Sequence, residues 1–284
     1  MVMSIEQYIW MNGKFIPWDQ ANIHVMTHSL HYSGAVFEGE RSYNGKVFKL
    51  PEHTQRLFDS AKLLGMEPDY SIQDVESATY ELLKRNNLSD AYIRPLIWRG
   101  DGGINLNAEC KVNILILAKE SSPVMKNNLN IVLSKWKKVS PDAMPSQCKS
   151  SAHYMMARIT KNQALTDGYD DALLLDSLGF VAESTTSNVF FVSGDILITP
   201  IADRFLNGIT RQTILDIAKK LGIKTEERRI ALDDIKNYDG CFLTGTAAEV
   251  KGVSSISLDK EKLEFSNQKI LSIMQSEYKK LVRV

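Results

Sequence analysis

Along the 284-residue chain, short blocks of apolar residues recur with period two or with a spacing of three to four, separated by Gly, Pro, Asn and Ser. Tyr8–Trp18 places two apolar runs around Asn12-Gly13, and Arg41–Leu50 repeats the device at Asn44-Gly45. Asn-Gly tolerates two successive positive φ angles, as a tight hairpin requires, so both segments predict antiparallel strand pairs and not a Rossmann half. Pro51–Gly65 predicts a helix, with Pro in its first turn, Leu57, Ala61 and Leu64 on one face and Gly at its end. A second helix follows Ser71, where Ser71 and Asp74 have capping-box spacing. Ala91–Trp98 and Lys111–Ala118 predict strands; Pro95 lacks a ladder donor and places the first at an edge or a bulge.

The apolar pattern stops between Lys119 and Asn128 (KESSPVMKNN). The expected organisation is therefore a small domain over residues 1–120, a linker over 121–128 and a larger domain over 129–284. In the second half, a strand near Ile131 and a helix ending near Gly168 precede short strands at Ala172–Leu175, Phe180–Ala182, Asn188–Val192 and Ile196–Thr199. The turns SLG, STTS and SGD between those strands predict a meander. Thr210–Leu221 predicts a helix with Ile214, Ile217, Ala218 and Leu221 on one face and Gly222 just past its end. Ser266–Leu281 predicts a closing amphipathic helix.

Composition narrows the function. Lys and Arg number 34 and Asp and Glu number 34, so no net charge draws in a polyanion and nucleic-acid binding is not expected. Cys110, Cys148 and Cys241 are odd in number and far apart, which suits a reducing compartment. The longest apolar run, Ile114–Ala118, is five residues, too short for a membrane span, and the N-terminus lacks a basic-then-apolar leader. A cytoplasmic protein is expected.

No HExxH, GxSxG or Walker sequence is present, and His24, His28 and His31 read as structural or solvent-facing, so no metal is expected. Asn207-Gly208-Ile209-Thr210 leads into the helix, where unpaired main-chain N–H groups suit a phosphate; a plain Thr N-cap reads the same residues equally simply. Lys149 lies among small polar residues, Glu183 ends a strand, and Arg56 projects from its helix beside core-facing Leu57. Taken singly, each suits a solvated charge as well as a ligand contact.

Six blocks change that balance: His28–Tyr43 (HSLHYSGAVFEGERSY), Glu52–Leu57 (EHTQRL), Ala91–Trp98 (AYIRPLIW), the segment around Lys149, Gly208–Ile214 (GITRQTI) and Gly245–Val250 (GTAAEV). In this order they resemble the fold-type IV aminotransferases that use pyridoxal 5′-phosphate, and among these the branched-chain amino acid aminotransferases. The resemblance runs from about Tyr8 to about Ile256. It implies a mixed α+β and α/β, two-domain architecture of the D-amino acid aminotransferase kind, with a small N-terminal antiparallel-sheet domain and a larger β-barrel-like C-terminal domain.

The resemblance also implies roles. Lys149 would be the catalytic amine that binds the cofactor aldehyde and carries the proton. Arg56, main-chain N–H groups of Ile209 and Thr210, and Thr246 would hold the phosphate; Glu183 would meet the pyridine nitrogen, Tyr154 the phenolic oxygen and Leu206 the ring. Tyr32, Phe37, Gly39, Arg41, Tyr92 and Arg94 would line the substrate, with Thr246 and Ala247 on its carboxylate. The implied reaction exchanges the amino group of Leu, Ile or Val with 2-oxoglutarate in two half-reactions, by a homodimer or higher homo-oligomer acting on small amino and oxo acids.

Three departures bear on specificity. The family's EGxGEN reads ESTTSN (Glu183–Asn188), the linker lacks the usual aromatic residues, and His153 stands where Asn is frequent. D-amino acid and R-amine aminotransferases and 4-amino-4-deoxychorismate lyase share the fold; the block Val36-Phe37-Glu38-Gly39 favours the branched-chain group over them and over a cofactor-binding protein without turnover.

Overall fold

The computed structural model describes residues 7–121, 128–259 and 261–283. These cluster into two compact units, one within Met1–Ser122 plus Cys148–Ala152, the other within Pro123–Gln147 plus His153–Val284. The segment that carries Lys149 thus belongs to the first unit.

The first unit contains β1 (Tyr8–Met11), β2 (Lys14–Pro17), α1 (His28–Tyr32), β3 (Ala35–Phe37), β4 (Glu40–Tyr43), β5 (Lys46–Val47), α2 (Leu50–Leu63), α3 (Ile72–Arg85), β6 (Ala91–Arg99) and β7 (Val112–Glu120). Its seven strands form one antiparallel sheet in the order β2-β1-β7-β6-β4-β5, with β3 also on β6. Both Asn-Gly pairs make the expected hairpins, with φ of 49° and 81° at Asn12 and Gly13 and 50° and 80° at Asn44 and Gly45. The capping box of α3 is present: Ser71 Oγ accepts from Asp74 N, and Asp74 Oδ2 accepts from Ser71 N. Leu57 and Ala61 of α2, Val75 and Leu82 of α3, and Ala91, Ile93 and Ile97 of β6 pack into one core that also holds Cys148. Removing a buried leucine from such a core costs about 2–5 kcal/mol.

Strand β6 is interior, not at an edge, and this corrects the expectation from Pro95. β7 pairs along its whole length on one side, while on the other β3 covers Leu96–Trp98 and β4 covers Tyr92–Ile93. Glu38 N donates to the Pro95 carbonyl at 3.0 Å, so the missing proline donor faces the break between β3 and β4.

The second unit contains β8 (Asn128–Leu133), α4 (Ser151–Thr166), β9 (Asp171–Leu175), β10 (Val181–Ser184), β11 (Asn188–Ser193), β12 (Ile196–Thr199), α5 (Ile209–Lys220), β13 (Thr225–Glu227), β14 (Gly240–Gly245), β15 (Glu249–Ser257), β16 (Lys262–Glu264) and α6 (Lys269–Val282). The expected meander β9 to β12 is present, and it belongs to a larger construction. β10, β9, β8, β15, β14 and β11 pair in turn, and β11 pairs back onto β10, closing a six-stranded barrel. Closure removes the open edges of these six strands. Its interior and flanks are filled by Ile131, Leu173, Val189, Phe191, Leu243 and Val253 among others.

The sequence pattern and the structure differ at several points. Leu221 is the C-cap of α5 and is exposed, not on the buried face with Ile214, Ile217 and Ala218. Helix α6 begins at Lys269, three residues after Ser266. Of the stretch where the apolar pattern stops, Lys119 and Glu120 close β7 and Asn128, the last residue read as linker, opens β8, while 122–127 lie outside the described residues. Among the described residues, no helix is long and apolar enough to cross a membrane.

Candidate active site

In the first unit, the main chain around Lys149 is fixed by three partners. Phe37 N donates to Lys149 O at 3.1 Å, Lys149 N donates to Ser60 Oγ at 3.1 Å, and Val36 bridges to Ser150. Cys148 anchors the segment from below: it is buried, its Sγ donates to Ser60 O at 3.5 Å, and burial pushes its thiol up to about 11. A thiol so shifted is packing, not a nucleophile. The half-buried Lys149 side chain extends over Phe37, its Nζ 5.3 Å from the ring centroid.

Most of the expected substrate residues share one sheet face with Phe37. Residues opposite each other in a ladder, or two apart along a strand, point the same way. Arg41 faces Tyr92 and Phe37 faces Leu96, so Arg41, Tyr92, Arg94 and Phe37 project together, away from the Ala91-Ile93-Ile97 core face. The Arg94 guanidinium stacks 4.3 Å from the Phe37 centroid and donates to Tyr92 Oη at 2.7 Å. Gly39 belongs to the group by necessity, since a Cβ there would stand 2.5 Å from Tyr92 Oη. Tyr32 lies elsewhere in its hydrogen bonding: it is exposed on α1, and its Oη donates to Ile104 O at 2.6 Å.

Arg56 brings in two acids and a histidine that the sequence did not flag. Its Nε and Nη2 lie 2.6 and 2.9 Å from the two oxygens of Glu38, and His53 Nδ1 lies 2.7 Å from Glu38 Oε2. Burial raises Glu38, but the Arg56 charge and the His53 and Arg56 hydrogen bonds outweigh it and hold the carboxyl well below its ordinary range. Glu40 is the opposite case. Fully buried, next to Glu38 and with no hydrogen-bond partner on either oxygen, it is raised well above the ordinary carboxylate value by burial first and by Glu38 second. Burial lowers His53 below its ordinary value, against the opposing pull of the Glu38 hydrogen bond and charge.

In the second unit, Glu183 is buried and sits at the barrel seam. Lys138 Nζ lies 2.7 Å from its Oε1, and Asn188 Nδ2 donates to Oε2 at 3.1 Å. Burial opposes the charge on Lys138, yet the Glu183 carboxylate prevails and raises its pKa. Each carboxylate oxygen has two acceptor positions, so these two donors leave capacity for a third. Half-buried Tyr154 is close enough to Lys138 to contribute to that raised pKa. His153 Nε2 lies 3.0 Å from Pro145 O, and burial lowers its pKa.

The start of α5 is open at its N-terminal end. Gly208, not Thr210, is the N-cap, and no side chain caps the helix, which corrects the Thr N-cap reading. Ile209 and Thr210 are its first two residues, and their N–H groups precede the intrahelical ladder. Asn188 Oδ1 accepts from Gly208 N at 3.1 Å, and Asn188 Nδ2 also donates to Leu206 O at 3.0 Å. Arg211, itself buried, holds Asn207 Oδ1 at 3.0 Å and Pro200 O at 2.8 Å. Thr246 and Ala247 occupy the turn between β14 and β15, and a Cβ on neighbouring Gly245 would meet Ser187 Oγ at 3.1 Å. Ser187, where the family pattern has a carboxylate, therefore borders this turn.

Each unit thus gathers a distinct chemistry: an amine beside an aromatic ring and a guanidinium in the first, and a buried carboxylate with uncapped main-chain donors in the second. Glu38, His53, Ser60, Lys138 and Asn188 were not legible as partners, because each is defined by a contact across the fold. His28 Nε2 lies 3.3 Å from Asn105 O and His31 Nε2 lies 3.0 Å from Val25 O. Among the described residues, no group of three His, Cys, Asp or Glu could hold a metal ion.

The family model described as Amino-transferase class IV matches residues 35–256. The chain is 50% identical over 278 residues to a probable branched-chain-amino-acid aminotransferase of Rickettsia bellii, covering 97% of this chain and 96% of that protein. Its structure is similar to the crystal structure of the Escherichia coli branched-chain amino acid aminotransferase, with a TM-score of 0.91, 32% identity, and coverage of 98% and 94% of the two chains. It is similar too, at a TM-score of 0.90 and 29% identity over 99% of this chain and 95% of the other, to the branched-chain amino acid aminotransferase from Thermobaculum terrenum in its PLP-form, the holo-form.

Proposed function

The chain belongs to the class IV aminotransferases, and from that premise we propose that it transfers the amino group of L-leucine, L-isoleucine and L-valine to 2-oxoglutarate with pyridoxal 5′-phosphate as cofactor. The observation that carries the substrate class is the 50% identity, over nearly the whole of both chains, to a protein named a probable branched-chain-amino-acid aminotransferase. The donor set suits the cofactor. A primary amine, a buried carboxylate and uncapped helix donors match an aldehyde, a pyridine nitrogen and a phosphate in turn. When bound, pyridoxal 5′-phosphate supplies an aldehyde that condenses with amines and a ring that withdraws the electron pair left at the substrate Cα.

The chain's own residues do the rest. Lys149 Nζ would hold the cofactor until a substrate amine replaces it, and would then accept the Cα proton and return it to the carbon on the far side of the bridging nitrogen. Ser60 and Phe37 keep its main chain still while the side chain moves. Glu183 accepts a hydrogen bond from the protonated ring nitrogen, and Lys138 and Asn188 keep that carboxylate oriented. Arg56, the N–H groups of Ile209 and Thr210, and Thr246 bind the phosphate; Tyr154 and Leu206 meet the phenolic oxygen and the ring. Phe37, Gly39, Tyr92, Arg94, Arg41 and Tyr32 line the substrate, with Thr246 and Ala247 at its carboxylate. We infer as well that the enzyme is a cytoplasmic homodimer or higher homo-oligomer.

The test is a donor panel with 2-oxoglutarate, following L-glutamate formation from L-leucine, L-isoleucine and L-valine and pyruvate formation from D-alanine, with aminodeoxychorismate also assayed for pyruvate release. The three branched-chain donors are expected to dominate by kcat/KM. Preference for D-alanine or aminodeoxychorismate would overturn the substrate assignment.

A further inference from the structure

The side chain of Asn188 touches both the Glu183 carboxylate and the loop entering α5. It is buried, and its three polar contacts divide by chemistry. Nδ2 donates to Glu183 Oε2 at 3.1 Å and to Leu206 O at 3.0 Å, while Oδ1 accepts from Gly208 N at 3.1 Å. The amide orientation follows from these partners, since only an NH2 group can serve a carboxylate and a carbonyl, and only the oxygen can serve an N–H. Asn188 is also the register partner of Glu183 at the pairing that closes the barrel. Gly208 leaves room for this arrangement, because a Cβ there would stand 2.2 Å from Asn188 Oδ1.

We propose that Asn188 is a positioning residue that ties the ring-nitrogen contact of Glu183 to the phosphate-holding start of α5, so that one amide sets both ends of the cofactor site. The inference rests on the cofactor reading above. Glu183 has its orientation fixed by two donors, Lys138 on Oε1 and Asn188 on Oε2. The N-cap residue Gly208 has no side chain to fix it, and its N–H is held by Asn188. Losing Asn188 therefore frees a carboxylate oxygen and orphans an N–H at the helix entrance together, each loss of the kind that weakens binding when buried.

Two variants separate the two arms, read by equilibrium binding of pyridoxal 5′-phosphate and of pyridoxal, which lacks the phosphate. Asn188→Asp keeps an acceptor for Gly208 N and loses both donations. It is expected to weaken the two ligands alike, by about tenfold, and to leave the ratio of their affinities within about twofold of wild type. Asn188→Ala loses all three contacts and is expected to weaken pyridoxal 5′-phosphate more than pyridoxal, lowering that ratio by about tenfold. Melting of each apoprotein shows that the chain is folded, and if Asn188→Ala is not, Gly208→Ala, which displaces Oδ1 from the other side, takes its place with the same expectation. A ratio unchanged in Asn188→Ala or its substitute, or lowered equally in Asn188→Asp, overturns the inference. A wild-type chain that binds neither ligand overturns the cofactor reading as well, and the two failures are told apart by the wild-type titration.

Discussion

Glu183 and Asn188 face each other across the register pair through which β10 and β11 close the barrel, with Asn188 Nδ2 3.1 Å from Glu183 Oε2. The carboxylate therefore sits on a strand whose partner cannot drift, and Lys138 holds its other oxygen. Glu183→Gln keeps the shape and removes the charge that would favour a protonated ring nitrogen. Its kcat for L-leucine is expected to fall by about a hundredfold, or about 2.7 kcal/mol, and its melting temperature to fall as well, because Lys138 loses its buried counter-ion. Unchanged turnover would remove Glu183 from the site.

Gly208 and Asn188 are in steric register, so substitutions at the two positions should compensate. Gly208→Ala places a Cβ 2.2 Å from Asn188 Oδ1 and is expected to weaken pyridoxal 5′-phosphate binding by about tenfold or more. Adding Asn188→Ser, with a shorter side chain, is expected to recover part of the loss. Additive losses would show that the two residues do not share this contact.

Ser60 fixes two successive residues, accepting from Lys149 N through Oγ and from Cys148 Sγ through its carbonyl. Ser60→Ala leaves the Lys149 N–H without this partner, and a stability loss of about 1–2 kcal/mol is expected from urea unfolding. No loss at all would mean that the Lys149 segment is held without Ser60.

Glu40 gives a pH dependence of definite sign. Its folded pKa is raised well above the ordinary 4.5, by burial first and by Glu38 second. The unfolded chain therefore ionises first as pH rises past that value, and its contribution to stability falls until the folded pKa is passed. Glu40→Gln cannot ionise and, because neither Glu40 oxygen accepts a hydrogen bond, removes no partner from any donor. The variant is expected to be more stable than wild type at pH 8, with the difference shrinking toward pH 4. A difference that grows toward acid would contradict a protonated Glu40.

Local signals in the sequence were followed closely by the chain. The Asn12-Gly13 and Asn44-Gly45 hairpins and the Ser71-Asp74 cap depend on residues within a few positions of each other, so their chemistry is written in one place. Pro95 misled because its missing donor is accommodated by a break between two other strands, a fact about Glu38 and Gly39 and not about β6. The β-barrel of the second domain was expected from the resemblance alone and not from the local pattern, since β14 and β15 join β11 to β8 across long stretches of sequence. Of the residues proposed for the site, Lys149, Glu183 and Arg56 were picked out by the pattern of blocks. Glu38, Lys138 and Asn188 were not, since a carboxylate's counter-ion or an amide's three partners exist only once the strands are paired.

The most direct test of the central claim is to incubate the purified protein with pyridoxal 5′-phosphate, reduce it with borohydride, and locate the modified peptide by mass spectrometry. A single phosphopyridoxyl adduct on Lys149, absent from Lys149→Ala together with transamination, is the predicted result. An adduct on another lysine, or full activity in Lys149→Ala, would contradict it.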